Sequence, residues 1–169
     1  MKKIMVIGVS AGAGKSTLAK KLAEKLAIPV YHLDTLYWKP GWVESDIDEF
    51  WNAQEEIVQQ SKWIIEGNYS STFDLRFAHA DTIVYVEKPL LTCLYRVVKR
   101  RIQNHGRTRS DMTLGCEEKI DWQFIKFILT TYHRRKKKMA ERCERFKDMK
   151  QVITVRNNRE IEALLERLG

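Results

Sequence analysis

The stretch 4-IMVIGVSAGAGKSTLAKKLAEKLAI-28 decides the fold class of this 169-residue chain. The apolar run from Ile4 to Val9 predicts a buried strand, and leucines recurring every four residues from Leu18 to Leu26 predict an amphipathic helix. A turn of small residues joins the two. This order of strand, glycine-rich turn and helix is the setting in which a phosphate-binding P-loop works.

The turn departs at one position from the P-loop pattern G-x-x-x-x-G-K-[ST]. Gly14, Lys15 and Ser16 match the end of the pattern, but Val9 stands where the first glycine is expected, and the glycine is Gly8. We interpret Gly8 as supplying flexibility one residue early, with the phosphate cradle intact. The alternative is a structural turn that binds no ligand.

The chemistry of phosphate binding explains these residue types. Phosphate oxygens require several converging backbone N–H groups, and residues with little or no Cβ let the chain wrap closely. The helix N-terminus adds partial positive charge. Lys15 is expected to reach the β- and γ-phosphates of ATP, and the Ser16 hydroxyl is expected to ligate Mg²⁺. The residues predicted to surround the phosphates are Ala11, Gly12, Ala13, Gly14, Lys15, Ser16 and Thr17.

The composition, 44% hydrophobic and 31% charged residues, is that of an ordinary globular protein, most simply one domain over residues 1–169. No apolar run approaches the roughly 20 residues that cross a bilayer, which predicts no membrane partner. The run Ile4–Val9 is also shorter than the about 7–15 residues of a secretory signal core. The cysteines Cys93, Cys116 and Cys143 lie far apart and form no C-x-x-C pair, which favours a reducing, cytoplasmic location.

The net charge of +8 is concentrated in one region. Residues 96–150 hold 17 Lys and Arg against 7 Asp and Glu, so this window carries +10 and the rest of the chain −2. Such a region predicts an anionic partner, either phosphorylated small molecules or nucleic acid. We interpret the run Arg134–Lys138 as a solvated helix face, with a nucleic-acid contact as the secondary alternative. The sequence carries no signal for the oligomeric state.

Strand and helix patterns alternate along the chain. The predicted strands are 3–9, 30–33, 63–66, 82–87 and 151–155, and the predicted helices lie near 15–27, 46–61, 90–103, 117–146 and 159–168. Short apolar strands separated by helices indicate parallel strands joined by crossovers. The predicted fold is therefore a three-layer α/β P-loop NTPase fold with a parallel five-stranded sheet, helices on both faces, and ligands at the carboxyl ends of the strands.

The second predicted strand ends at Asp34. A carboxylate there can orient or deprotonate an acceptor hydroxyl, or hold a metal-bound water, and the alternative is a turn or capping aspartate. Tyr37, Trp38 and Trp42 follow in a predicted loop. These rings are expected either to stack on a substrate ring, base or sugar, or to cover the core.

The third predicted strand ends at Glu66, where P-loop proteins place a second carboxylate associated with Mg²⁺. Arg76 follows and is predicted to clamp an acceptor phosphate bidentately, the alternative being an ordinary surface arginine.

The loop after the last strand returns to the P-loop side, so the adenine is expected near Arg156–Arg159, with Asn157 reading the base edge.

Arginines after the fourth strand predict a short lid at about residues 104–116. Arg96 and Arg100 share one helix face, and Arg107 and Arg109 lie in a polar loop containing glycine. A loop that closes over the nucleotide can bring guanidinium groups to the transferring phosphoryl group and exclude water. The alternative is a solvated helix face with a flexible basic loop. The predicted catalytic residues are Lys15, Asp34, Arg96, Arg100 and Arg109.

Five segments carry a resemblance to a known family: His32–Trp42, Trp63–Tyr69, Cys93–Arg101, Arg109–Met112 and Gly115–Glu118. With the P-loop, they make the chain similar to the P-loop kinases related to adenylate kinase, and more narrowly to the bacterial "DNA topology modulation protein" family. The resemblance covers most of the chain and implies ATP with Mg²⁺, a parallel five-stranded sheet and an arginine lid. The lid lacks the metal-ligating cysteine insertion of adenylate kinases, and Arg76 stands later than their acceptor-side arginine, so AMP is not implied as the acceptor.

These observations support two hypotheses of function. The first is an ATP-binding phosphotransferase that moves the γ-phosphoryl group to a small nucleotide, nucleoside or hydroxylated acceptor. The second is an ATP-regulated nucleic-acid-binding protein that affects DNA topology. The lid position of the arginines favours the phosphotransferase, whereas Arg134–Lys138 fits the second hypothesis.

Overall fold

A computed structural model of the chain describes residues 1–104, 106–117 and 121–168. Its strands are β1 (Lys3–Gly8), β2 (Val30–His32), β3 (Trp38–Lys39), β4 (Val43–Glu44), β5 (Trp63–Glu66), β6 (Thr82–Val86) and β7 (Gln151–Val155). Its helices are α1 (Lys15–Leu26), α2 (Leu33–Tyr37), α3 (Ile47–Gln59), α4 (Phe73–His79), α5 (Leu90–Gln103), α6 (Trp122–Phe146) and α7 (Asn158–Glu166).

A parallel five-stranded sheet in the order β2-β5-β1-β6-β7 forms the centre of the described structure. β5 and β6 are buried along their whole length, and β1 is buried after its first residue, because helices cover both faces of the sheet. Parallel strands end at the same edge, so the P-loop after β1 lies beside the end of β5. The predicted α/β fold and five-stranded sheet are confirmed.

Capping side chains fix the starts of α3 and α6. The Asp46 carboxylate accepts a hydrogen bond from the backbone N–H of Asp48 at 2.8 Å, which fixes the start of α3. The Asp121 carboxylate accepts from the N–H of Phe124 at 2.7 Å, so α6 begins at Trp122. The predicted helix 117–146 therefore starts later among the described residues, and its residues 118–120 lie outside them.

Three short elements were not predicted: helix α2, helix α4, and the hairpin in which Trp38 pairs with Glu44. Each is too short to show a periodic pattern, so tertiary contacts decide its conformation. The predicted lid is irregular over residues 106–117, and His105 lies outside the described residues. Within the described chain, no helix combines the length and the apolar character needed to span a membrane.

Candidate active site

The turn between β1 and α1 has the backbone that a phosphate cradle requires. Gly12 and Gly14 adopt positive φ angles of 76° and 100°, a region that favours glycine. A Cβ on Gly12 would lie 2.2 Å from the carbonyl oxygen of Cys93, because the turn packs directly on the first turn of α5. Gly12 is therefore required by both conformation and space, and Gly14 by conformation.

The displaced glycine, Gly8, has a different role from the predicted one. Its backbone belongs to β1, and a Cβ there would lie 2.8 Å from Cγ of Lys15. The Asn68 side chain also holds this backbone, accepting from the Gly8 N–H at 2.9 Å and donating to its carbonyl at 2.7 Å. Gly8 makes room for the Lys15 side chain rather than supplying flexibility, so that interpretation is corrected.

The Glu66 carboxylate lies at the centre of a buried polar network at the end of β5. It accepts hydrogen bonds from the Ser16 hydroxyl at 3.0 Å and from His32 Nδ1 at 2.9 Å, and Lys15 Nζ lies 3.8 Å away. Burial raises the pKa of Glu66, but the His32 hydrogen bond and the Lys15 charge outweigh burial and hold that pKa below its ordinary value. Glu66 is therefore ionised at neutral pH.

The oxygen atoms of Ser16 and Glu66 fit Mg²⁺, which prefers hard oxygen ligands. Among the described residues, no group of three or more His, Cys, Asp or Glu side chains could hold a metal ion. The Ser16 and Glu66 oxygens, 3.0 Å apart, suit a metal that is held by one or two protein groups together with nucleotide phosphates.

Asp34, predicted at the end of the second strand, lies in α2 directly after β2. Tyr37 closes the same helix and Trp38 begins β3, so these two residues are not in the predicted loop. Its carboxylate accepts a hydrogen bond from the Tyr69 hydroxyl at 2.7 Å. Burial raises the pKa of Asp34, and the opposing effects of Tyr69, Lys15 and Arg109 do not cancel this increase. A carboxylate with a raised pKa at a cavity wall has the chemistry of a general base.

Aromatic rings line the cavity beside Asp34. The ring centroids of Tyr37 and Tyr69 are 4.8 Å apart, and those of Trp38 and Trp42 are 5.4 Å apart in an edge-to-face arrangement. All four rings are partly exposed and line the cavity, so they cover the core and also remain available to a ligand.

Arg76 is not placed where an acceptor could reach it. Its side chain is fully buried, and its guanidinium donates to the backbone carbonyls of Gly67, Tyr69 and Thr72. The prediction that Arg76 clamps an acceptor phosphate is therefore corrected: the side chain is buried and each of its three guanidinium nitrogens already donates to a backbone carbonyl. Through these bonds Arg76 holds the segment that carries Tyr69 to Asp34.

Replacing Arg76 with methionine is expected to lower the free energy of unfolding by about 3 kcal/mol or more, because buried carbonyls lose their donors. Urea unfolding measures the change. The exposed Arg145, replaced in the same way, is the control and is expected to shift stability by no more than about 0.5 kcal/mol. Equal stabilities of the two variants would show that the carbonyl contacts contribute nothing.

The lid segment is docked against two other parts of the site. Lys20 Nζ donates to the Ser110 hydroxyl at 2.7 Å, which joins the lid to α1. The Thr113 hydroxyl donates to the Thr35 carbonyl at 3.2 Å, which joins it to α2. Arg109 pairs with Asp111 at 3.2 Å inside this docked segment.

A cavity of about 1550 Å³ brings most of the predicted residues together. The predicted residues that line it are Ala11–Thr17, Asp34, Tyr37, Trp38, Trp42, Glu66, Arg96, Arg100 and Arg109. Arg96 also donates to the Ala13 carbonyl at 3.2 Å, which ties α5 to the P-loop. Asn157 is not among the lining residues: its side chain accepts from the Glu160 N–H at 2.9 Å and caps α7, while Asn158 lines the cavity.

Sequence reasoning missed four residues of the site: His32, Asn68, Tyr69 and Asp111. Asn68 and Tyr69 directly follow Glu66, so their position after a strand end was an available signal. His32 gave no spacing signal, because its partner Glu66 is distant in sequence. Asp111 gave none because it lies in an irregular segment without a periodic pattern.

No protein-family model matches the chain, and no curated protein matches it. Solved structures share its fold. A sugar kinase from Janibacter sp. HTCC2649 has a TM-score of 0.54 and 14% identity, with 99% of this chain and 91% of that chain covered. A shikimate kinase from Acinetobacter baumannii, solved with shikimate, has a TM-score of 0.53 and 16% identity, and the match covers 99% of this chain and 90% of that chain. A shikimate kinase from Bacteroides thetaiotaomicron has a TM-score of 0.52 and 19% identity, and the match covers 98% of this chain and 94% of that chain. The chain thus has the fold of P-loop kinases.

Proposed function

We propose that this protein is an ATP-dependent phosphotransferase that moves the γ-phosphoryl group to the hydroxyl of a small acceptor. The observation that carries the proposal is the convergence of Lys15, Ser16, Glu66 and Asp34 on one cavity at the carboxyl edge of the sheet. A phosphate cradle and a base with a raised pKa are the two parts that such a transfer requires. The fold shared with sugar and shikimate kinases supports the same proposal. The three cysteines are free and buried, which fits the cytoplasmic location that we propose.

Each side chain has a defined task in this proposal. Bound ATP with Mg²⁺ would supply the phosphoryl group. Lys15 would neutralise charge on the β- and γ-phosphates, and Ser16 with Glu66 would hold the metal. Asp34 orients the acceptor hydroxyl and takes its proton, while Tyr69 fixes the Asp34 carboxylate by the hydrogen bond of 2.7 Å. Docking of residues 106–117 excludes water from the reacting atoms.

We further propose that Arg100 and Arg109 act on turnover. Replacing either with alanine is expected to lower acceptor-dependent ADP release by a factor on the order of 10–10³ and to change ATP affinity much less. The reason is that charge redistributes over the γ-phosphoryl oxygens only as transfer proceeds, and arginine grips two oxygens at once. Calorimetry with ATP and steady-state kinetics separate the two quantities.

The matched control for this pair is Arg107, which is exposed and does not line the cavity. Its alanine variant is expected to retain both turnover and ATP affinity. Large, equal losses of ATP affinity in the Arg100 and Arg109 variants would make them ground-state ligands. Unchanged turnover in the Arg100 and Arg109 variants would show that these arginines have no catalytic role.

A nucleic-acid-binding function is the second candidate, and the run Arg134–Lys138 on α6 is the observation behind it. Part of this run is engaged within the chain: Lys136 pairs with Glu87 at 3.2 Å, and the Arg135 guanidinium lies 5.0 Å from the Phe127 ring centroid. We therefore rank this function, including an effect on DNA topology, below phosphotransfer. DNA binding that persists at high salt, without acceptor-stimulated turnover, would reverse the ranking.

The experiment that tests the proposed function is a screen for ADP release. Purified protein is incubated with ATP, Mg²⁺ and panels of nucleotides, nucleosides and small hydroxylated metabolites. The expected result is that one chemical class raises ADP release above the acceptor-free rate. Confirmed ATP binding with no stimulation by any class would contradict a phosphotransferase.

A further inference from the structure

The cavity wall beside Asp34 differs in character from the rest of the cavity. Among the described residues that line it, those between positions 34 and 71 include two acids and several aromatic rings, and no lysine or arginine. These acids and rings are Asp34, Tyr37, Trp38, Trp42, Glu66 and Tyr69. The exposed hydroxyls of Ser70 and Ser71 lie on the same wall. The wall therefore offers acceptors of hydrogen bonds and flat apolar surface, with no cation of its own.

The aromatic surface is continuous from the core to the cavity. The Phe50 and Tyr69 centroids are 5.0 Å apart, Tyr69 and Tyr37 are 4.8 Å apart, and Tyr37 meets Trp38 at 5.0 Å. Trp38 then meets Trp42 at 5.4 Å. Because Phe50 is fully buried, the series is anchored at one end, and the two tryptophans present fixed ring surface at the other. Such a surface packs against the flat face of a ring.

The charges near this wall disfavour an anionic acceptor. Glu66 is compensated by Lys15 at 3.8 Å. A phosphate or carboxylate on an acceptor whose hydroxyl reaches Asp34 would lie beside the Asp34 carboxylate, and like charges repel. Arg76 follows this wall in sequence, but it is buried and donates to backbone carbonyls, so it does not face an acceptor. The nearby lid arginine, Arg109, is assigned above to the transferring phosphoryl group and also pairs with the buried Asp111 at 3.2 Å.

Given the phosphotransferase function proposed above, on which this inference rests, we infer that the acceptor is a hydroxylated ring compound that carries no phosphate or carboxylate. Its flat face packs on Trp38, its edge meets Trp42, which stands edge-to-face with Trp38, and its hydroxyl reaches Asp34. In the transfer, the acceptor oxygen bonds to the γ-phosphorus of ATP and the bond from that phosphorus to the β,γ-bridging oxygen breaks. The hydroxyl proton passes to Asp34, and ADP leaves. Nucleosides and monosaccharides both present this chemistry.

The test uses matched pairs of compounds on the full chain. Nucleosides and monosaccharides are each compared with phosphate esters at two different hydroxyls, such as uridine with its 3′- and 5′-monophosphates and glucose with its 1- and 6-phosphates, so that each hydroxyl is free in one ester; glycerol serves as the acyclic alcohol. Calorimetry without nucleotide measures binding, and ADP release measures transfer. The variant Trp38→Leu removes ring surface. Trp51→Leu is the control, because Trp51 lies on α3 and does not line the cavity.

We expect one unphosphorylated ring class to bind and to stimulate ADP release, with its phosphate esters at least about tenfold weaker in both measurements. Trp38→Leu is expected to weaken ring binding by about tenfold and to leave ATP affinity unchanged, whereas Trp51→Leu changes neither. Stimulation by nucleosides would identify the acceptor as a nucleoside, and stimulation by monosaccharides would identify it as a sugar.

Three results would overturn the inference. ADP release stimulated equally or better by phosphate esters, or by glycerol, would refute it while leaving the phosphotransferase function intact. If Trp38→Leu binds the ring compound as tightly as the wild type does, the Trp38 ring does not contribute to acceptor binding. ATP binding without ADP release for any acceptor class would instead overturn the phosphotransferase function, and the acceptor inference with it.

Discussion

Replacement of Asp34 with asparagine is expected to lower acceptor-dependent turnover by about 10²–10⁴-fold and to leave ATP affinity nearly unchanged. Asparagine keeps the size of the side chain and its contact with the Tyr69 hydroxyl, which lies 2.7 Å from the carboxylate, but it cannot take a proton. The loss should therefore appear in kcat. Steady-state kinetics at saturating ATP, with calorimetry for ATP, measure both quantities.

The pH profile provides a second readout of the same residue. Burial raises the pKa of Asp34 and Glu66 raises it further, whereas Tyr69, Lys15 and Arg109 lower it. A base acts when deprotonated, so turnover is expected to rise with pH through this raised pKa. Tyr69→Phe removes the hydrogen bond that lowers the pKa, so the rise should move to higher pH.

The control for Asp34 is Asp48, an exposed acid in the first turn of α3, and Asp48→Asn is expected to retain full turnover. If Asp34→Asn keeps wild-type turnover, Asp34 is a structural residue of α2 and a different group accepts the proton. If it loses ATP binding instead, Asp34 belongs to the nucleotide side of the cavity.

The second large effect is expected at Lys15. Lys15→Ala should reduce ATP affinity by about 100-fold or more, because charge-assisted contacts to the phosphates are lost. The side chain is already directed to the cradle: Nζ lies 3.4 Å from the Ser10 carbonyl and 3.8 Å from Glu66. In the variant, the buried Glu66 carboxylate also loses its neighbouring cation. Calorimetric titration with ATP and Mg²⁺ measures the change.

Lys25 provides the matched comparison, since it lies on the same helix, is exposed and does not line the cavity. Lys25→Ala is expected to bind ATP as the wild type does. Undiminished ATP affinity in Lys15→Ala would refute the assignment of residues 11–17 as a phosphate cradle.

The fold could be predicted from the sequence because its signals are local. Strand, small-residue turn and helix follow one another within residues 4–28, and the predicted five-stranded sheet is confirmed. The position of Glu66 at the end of β5 follows from the same logic, since parallel strands end at one edge.

The rest of the site depends on contacts between distant residues. Arg76 follows Glu66 in sequence and was predicted to bind an acceptor, but its guanidinium is buried and donates to three backbone carbonyls. Gly8 has a packing role that only the position of Lys15 reveals. His32 meets Glu66 across two strands, and no spacing rule indicates that pair. Sequence patterns thus predict which strand end carries a residue, whereas side-chain direction requires the folded chain.

The central claim is that one cavity binds ATP and transfers its γ-phosphoryl group to an acceptor hydroxyl. The most direct measurement follows a radioactive label on the γ-phosphate of ATP in the presence of the acceptor that stimulates ADP release. The account predicts that the label appears in an organic phosphate ester with wild-type protein, and that Asp34→Asn and Lys15→Ala reduce this product strongly. Label recovered only as inorganic phosphate, or equal ester formation by all three proteins, would contradict it.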